Sequence, residues 1–362
     1  MSRNFTRLIL SVVLCCALAG GAASASATPL LVANVFASSV DLYDTDGTLL
    51  QANFIPSFSG GLVLPANIIT GPDGNIYVSS NLTGHVFKYN RTDGSPLGVV
   101  ADLGSSAAPS GLAFDPSGRL FVADHGSNAV RVFDSSSTTV PVQTILIPTA
   151  APLQQGGGIA FDDSFQRLYI SSFGTSEVFV YNNQGTPALG DDTMQIFADA
   201  GEGGLAIPAG VEVGADGSVY VANIFGNSVS KFLADGTPVD GAGGPGTPFI
   251  TIPDPPFEQP DNIAFPGFAP GDVIFDTNGD LLISLLGPTN PTETPHPLGG
   301  LVRFSASTGK LIEVLAYPIN STSSLVLLED AEAVPEPSTF VLAGLGLLGL
   351  GFVALRKKHR RA

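Results

Sequence analysis

Glu212 is the residue in this chain whose type its sequence surroundings do not explain. It lies in GVEVGADGS, from Gly210, where three similar segments carry Ile69, Ala113 and Ala160 at the same position. A carboxylate on an otherwise apolar strand costs several kcal/mol when buried alone. It needs a cation, a hydrogen-bond network or water in a channel. The chemistry open to it is metal ligation or general-base work; the plainer role is a glutamate lining a wet channel. Other reactive patterns dissolve on inspection. Ser228-x-x-Lys231 places its two groups on opposite faces of a strand. Asp276-x-Asn278-Gly279 lacks the later bidentate glutamate of a calcium loop and reads as a hairpin turn. His85, His125 and His296 fall at unmatched positions, which argues against a histidine metal cluster. No G-x-S-x-G, H-E-x-x-H or P-loop pattern is present.

The elements that would position Glu212 form a repeat. Five segments align without a gap: LLVANVFASSVDLYD from Leu30, IYVSSNLTGHVFKYN from Ile76, LFVADHGSNAVRVFD from Leu120, LYISSFGTSEVFVYN from Leu168 and VYVANIFGNSVSKFL from Val219. Each is an alternating strand, a polar loop and a second alternating strand. Four follow another short strand, whose equivalent residues Ile68, Leu112, Ile159 and Val211 are spaced by 44, 47 and 52 residues. Asp-Gly and Asn-Gly pairs, such as Asp73-Gly74 and Asp216-Gly217, mark tight hairpins between strands.

Four strands per unit of about 45 residues describe a β-propeller blade. The expected fold is all-β, a six-bladed β-propeller with four antiparallel strands per blade. A β-solenoid or a pair of sandwiches fits the four-strand period less well. The first unit lacks an inner strand, which Ser323–Leu328 would supply to close the ring. The sixth unit is stretched, and its inner strand lies either in Pro260–Phe265 or just before Asp276. The Gly- and Pro-rich stretch 236–260 reads as a long outer loop.

In such a ring, the inner strand and the loop between the second and third strands open on one face. The loop-opening positions are Asn34, Ser80, Asp124, Ser172 and Asn223, followed by Val35, Asn81, His125, Phe173 and Ile224. The first set is expected to cap loop amides. A binding face would hold Asn34, Asn67, Asn81 and His125.

PSGLAFDPSGRLFVADHGSNAVRVFD, from Pro109 to Asp134, closely resembles an NHL repeat, and the body is similar to six-bladed NHL and gluconolactonase-like propellers. Asp124 is the Asp typical of NHL repeats. The resemblance admits lactonases, lyases and binding platforms alike. Gluconolactonase-like propellers hold a divalent metal with Glu, Asn and Asp side chains at the channel mouth. By that resemblance Glu212, Asn223, Asp124 and Asn262 are the candidate ligands, with calcium as the candidate ion. The leading Glu motif of that group is absent from the first blade, so its ligands do not map one by one.

Both ends carry sorting signals. Arg3 and Arg7 precede an apolar run, Leu8–Ala19, and an A-x-A site ends at Ala27. Residues 1–27 therefore read as a helical signal peptide cut by signal peptidase, which removes Cys15 and Cys16 and leaves no thiol or disulfide. At the other end a box of Val334, Pro335, Glu336 and Pro337 precedes an apolar span and a basic cluster. Residues 338–355 read as a transmembrane helix, and 356–362 as its cytoplasmic end. The dinucleotide-like Gly344-x-Gly346-x-x-Gly349 falls inside that span. The tail, 334–362, resembles the PEP-CTERM sorting signal, which implies cleavage by an exosortase near the box. Between the ends, residues 28–333 hold 8 basic and 31 acidic residues, a net charge of −23. Such a surface repels nucleic acid and anionic lipid, leaving the tail as the only membrane contact.

The expectation is an exported propeller at the cell surface or in the extracellular matrix, a non-enzymatic binding or structural module. Extracellular polysaccharide or another surface protein would be its partner. The alternative is a metal-dependent lactonase or lyase of the gluconolactonase-like kind.

Overall fold

Strands alternate with tight turns along the chain, and six sheets of four antiparallel strands result. The computed structural model describes residues 28–134, 137–146, 155–162, 164–182, 193–252, 269–287 and 298–328. The expected leader, 1–27, and the tail, 334–362, with Ala27, Val334, Pro335, Glu336 and Pro337 and the two helices expected there, lie outside the described residues. Among the described residues no helix is long and apolar enough to cross a membrane.

Blade 2 comprises β4 (Pro65–Thr70), β5 (Ile76–Ser80), β6 (His85–Tyr89) and β7 (Pro96–Asp102), from the axis outward. Blade 3 comprises β8 (Pro109–Phe114), β9 (Leu120–Asp124), β10 (Ala129–Phe133) and β11 (Gln143–Leu146). Blade 4 has β12 (Gly156–Phe161), β13 (Arg167–Ser172), β14 (Glu177–Asn182) and β15 (Thr193–Ala198). Blade 5 has β16 (Pro208–Val213), β17 (Val219–Asn223), β18 (Ser228–Phe232) and β19 (Ile250–Thr251). Blade 6 has β20 (Ala269–Phe275), β21 (Leu281–Leu286), β22 (Leu298–Phe304) and β23 (Leu311–Asn320).

Blade 1 closes the ring. Its three outer strands are β1 (Leu30–Asn34), β2 (Ser39–Tyr43) and β3 (Leu49–Ile55), while its inner strand is the last of the chain, β24 (Thr322–Leu327). The two ends pair antiparallel, from Leu30 opposite Leu327 to Asn34 opposite Thr322. At the end of this pair away from the β1–β2 loop, the Leu328 N–H donates to the Pro29 carbonyl at 2.7 Å.

Two sequence ambiguities resolve here. The inner strand of blade 6 is β20, which lies against β21 from Ala269–Leu286 to Phe275–Leu281. The rival segment, Pro260–Phe265, with Asn262, falls outside the described residues. The stretch 236–260 is not purely a loop, because Ile250 and Thr251 pair with Val229 and Ser228 and complete blade 5.

Alternation buries one side chain in two against each neighbouring blade, so the core divides into six clusters, one per blade interface. Edge-to-face ring pairs recur across these interfaces: Tyr77–Phe114 at 4.9 Å, Phe121–Phe161 at 5.1 Å and Tyr220–Phe275 at 5.3 Å. At the seam between blades 6 and 1 a buried ion pair adds to the apolar contact. Arg303 Nε lies 3.0 Å from Asp276 Oδ2, and Arg303 also donates to the Thr45 carbonyl of blade 1 at 2.6 Å.

Candidate functional site

Every inner strand slips its register near its start, as between Pro65 and Ile68, Pro109 and Leu112, and Pro208 and Val211. Such bulges turn backbone toward the axis. The residues at the slip are mostly small: Ala66-Asn67, Ser110-Gly111, Gly157-Gly158, Ala209-Gly210, Gly271-Asp272 and Ser323-Ser324. Neighbouring inner strands approach so closely that a Cβ on Gly111 would lie 2.6 Å from the Gly157 carbonyl oxygen, and one on Gly158 2.6 Å from that of Ala209.

Around half of the ring, side chains replace this bare contact. The Leu325 N–H donates to Asp272 Oδ2 at 3.3 Å, the Ile68 N–H to Ser324 Oγ at 3.2 Å, and the Leu112 N–H to Asn67 Oδ1 at 3.1 Å. In each case an acceptor on one inner strand takes the amide of the next blade. The three side chains also link to each other. Asn67 Nδ2 donates to Ser324 Oγ at 3.0 Å, and Ser324 Oγ donates to Asp272 Oδ2 at 2.6 Å. This directional chain ends on Asp272, whose other oxygen accepts the Val273 N–H at 3.0 Å. It spans blades 6, 1, 2 and 3, which include the seam where the chain ends meet.

Above these strands is a cavity of about 270 Å³. The six residues that follow the loop-opening positions all face it: Val35, Asn81, His125, Phe173, Ile224 and Leu286. Asn67, Gly210 and Asp272 lie on the inner-strand side. His125 and Phe173 meet edge-to-face at 5.4 Å. Burial holds the His125 imidazole below its usual range, against the Gly156 backbone and the Asp124 charge. Burial likewise pushes the Asp272 carboxyl up to about 6, although three donors favour the anion.

The residues singled out from sequence separate into two levels. Asn67, Asn81 and His125 face the cavity, whereas Asn34 is buried beneath it and donates to Ser39 Oγ at 3.4 Å. The loop-opening side chains hold their loops. Asp124 Oδ1 accepts the Ala108 and Gly126 N–H groups at 3.0 Å each, and its Oδ2 meets Ser127 Oγ at 2.5 Å and Arg131 Nη2 at 2.8 Å. Asn223 accepts the Ala206 N–H at 3.2 Å and donates to Ser228 and Ser230.

Glu212 is half-buried opposite Tyr220, whereas Asn223 pairs with Pro208 at the mouth end of the same ladder. The strand separates the two by several residues, and Asp124 stands in another blade. The structure does not bring Glu212, Asp124 and Asn223 to one point. Among the described residues no three His, Cys, Asp or Glu side chains gather closely enough to hold a metal ion.

Asp272 is the mouth residue that sequence reading missed. Aligning Val273 with Ile68 and Val211 would have found it, since Asp272 then matches Asn67 and Gly210. Its titration gives a testable sign. An unfolded aspartate titrates near 3.9, so a folded value of about 6 adds stability below pH 4 that is lost as pH rises through 6. The carboxyls held low, such as Asp73, Asp115 and Asp216, act in the opposite sense and in more acid solution. Asp272→Asn is therefore expected to flatten the stability profile between pH 4.5 and 7.5 by roughly 2 kcal/mol. Urea titrations across that range check it; parallel profiles for the two proteins would exclude the effect.

Comparison with known proteins agrees with this architecture. The PEP-CTERM protein-sorting motif matches residues 333–358, and the NHL repeat matches residues 107–133. No curated protein matches the chain in sequence. Among solved structures, a chain of the nidogen/laminin complex aligns over 83% of this chain and 98% of its own, with a TM-score of 0.57 at 13% identity. The periplasmic gluconolactonase of Pseudomonas aeruginosa aligns over 84% and 99%, with a TM-score of 0.52 at 15% identity. Virginiamycin B lyase of Staphylococcus aureus aligns over 83% of each chain, with a TM-score of 0.51 at 14% identity. At such identities the likeness is one of fold. The chain is thus a six-bladed β-propeller that carries an NHL repeat and ends in a PEP-CTERM sorting motif, which marks it for export and exosortase processing.

Proposed function

We propose that this propeller is a non-catalytic binding module that takes its ligand at the channel mouth after export. Signal peptidase releases it after Ala27, and an exosortase acts near Pro335-Glu336-Pro337 to pass it to the cell surface or extracellular matrix. An extracellular polysaccharide or another surface protein is the partner. The supporting observation is the division of labour at the mouth. Six equivalent loop positions converge on one cavity, while the polar chain beneath it, Asp272–Ser324–Asn67, is hydrogen-bonded between blades. Exposed apolar side chains, Leu82 and Phe225, follow directly on cavity-lining residues and widen the contact surface. A lactonase or lyase of the metal-dependent kind needs converging oxygen ligands, and Glu212, Asp124 and Asn223 stand apart.

The test uses the full-length protein in detergent against extracellular polysaccharide and surface proteins of the producing cell. Binding without turnover, at least tenfold weaker in Ile224→Arg, is the expected result. Lactone hydrolysis or elimination above background that Ile224→Arg abolishes would overturn the non-catalytic reading.

A further inference from the structure

The cavity has an uneven chemical lining. Among the described residues no Lys or Arg faces it, and burial holds the imidazole of its histidine, His125, below the usual range. One wall carries aromatic and aliphatic side chains, Phe173 and His125 beside Ile224 and Leu286. The floor carries the Asp272 carboxylate. Asp272 Oδ2 accepts from Ser324 Oγ and the Leu325 N–H, and among the described residues Oδ1 accepts from its neighbour Val273. Next to Oδ1 stands Gly210, where a Cβ would lie 2.5 Å from that oxygen. The bare Gly210 lets blade 5 pack directly against that oxygen, at the floor of the cavity.

We infer that the mouth selects a small organic cation, an ammonium group carried on an apolar body, with Asp272 as counter-ion and Phe173 as aromatic wall. This rests on the mouth being the binding site, and it names the ligand class. Among the described residues, the lining would offer an anion no positive charge and one negative charge. A hard divalent cation favours several carboxylate oxygens, and among the described residues this lining has one carboxylate. An alkylammonium matches both parts: its charge meets the carboxylate, and its methyl or methylene groups pack on apolar walls and an aromatic face. The chain's net charge of −17 also raises the local concentration of cations.

The experiment is calorimetric titration of the full-length protein with choline and with 3,3-dimethylbutan-1-ol, its uncharged isostere. Calcium chloride is the third titrant. Choline is expected to bind at least tenfold more tightly than the alcohol. That preference is expected to vanish in Asp272→Asn and binding to weaken several-fold in Phe173→Ala, both checked for folding by circular dichroism. Equal affinity for choline and the alcohol would overturn the choice of a cation while leaving the mouth as a binding site. Calcium binding that displaces choline would overturn the organic class. Binding of polysaccharide or surface protein with no choline binding would end this inference alone, and binding of nothing would end both readings. If Asp272→Asn fails to fold, the choline-to-alcohol ratio in the unaltered protein still decides.

Discussion

Ending the chain after Asn320 is expected to abolish cooperative folding of the propeller. The deletion removes β24, the inner of the two strands that pair with β1, and leaves it only β2. Leu30 and Val32, both buried at the seam, would lose Leu325 and face water. The inner edge of blade 1 would become an open row of unpaired amides and carbonyls. Asp272 would lose the Ser324 and Leu325 donors and remain a poorly partnered buried carboxylate. Each loss costs a few kcal/mol, and a domain has only about 5–15 kcal/mol of net stability to lose. A chain ending after Leu328, which keeps every described strand, is the control. Thermal melts and limited proteolysis read the result. A cooperative melt within a few degrees of the control would show that pairing of the ends is dispensable.

Asp124→Ala is expected to destabilise the protein by about 3–5 kcal/mol, the range for breaking a buried ion pair. The Asp124 carboxylate is fully buried and serves four donors at once. Its removal leaves the Ala108 and Gly126 amides without their acceptor and Arg131 without its counter-ion. At roughly 2–4 °C per kcal/mol for a protein somewhat smaller than this one, the melting temperature should fall by around 10 °C. Ser80→Ala, at the equivalent position of blade 2, is the comparison. Ser80 Oγ exchanges bonds of 2.9 Å with the Val63 backbone, and no charge is involved. Its loss should cost only about 1 kcal/mol. An Asp124→Ala protein as stable as the parent would sink the assignment of Asp124 to holding its loop.

These two expectations separate what was readable in the chain from what was not. The strands, their order and the ring closure were legible because they depend on local rules. Period-2 alternation marks LFVAD and VRVF as strands whatever lies beside them. Asp-Gly pairs announce hairpins because glycine accepts positive φ, as Gly74 at +75° and Gly217 at +77° do. Aligned repeats then placed Val35, Asn81, His125, Phe173 and Ile224 in equivalent positions, and those five surround one cavity. Local rules failed where strand signals were weak. β19 keeps only Ile250 and Thr251 amid Gly and Pro. The inner strand of blade 6 could not be chosen, and Asp272 was hidden with that choice.

What the sequence by itself determined is a ring of repeated four-stranded modules followed by a sorting motif, with the side chains that open each loop. Tertiary structure alone decided which polar groups meet. Glu212 looked exceptional along the chain, yet it sits several residues from the mouth end of its strand. Asp272 looked ordinary, yet it ends a chain of donors running from Leu112 through Asn67 and Ser324. The reason is physical: alternation and turn chemistry act between residues a few positions apart. Contacts at the axis join residues such as Asn67 and Ser324, 257 positions apart, which become neighbours only once the ring has closed.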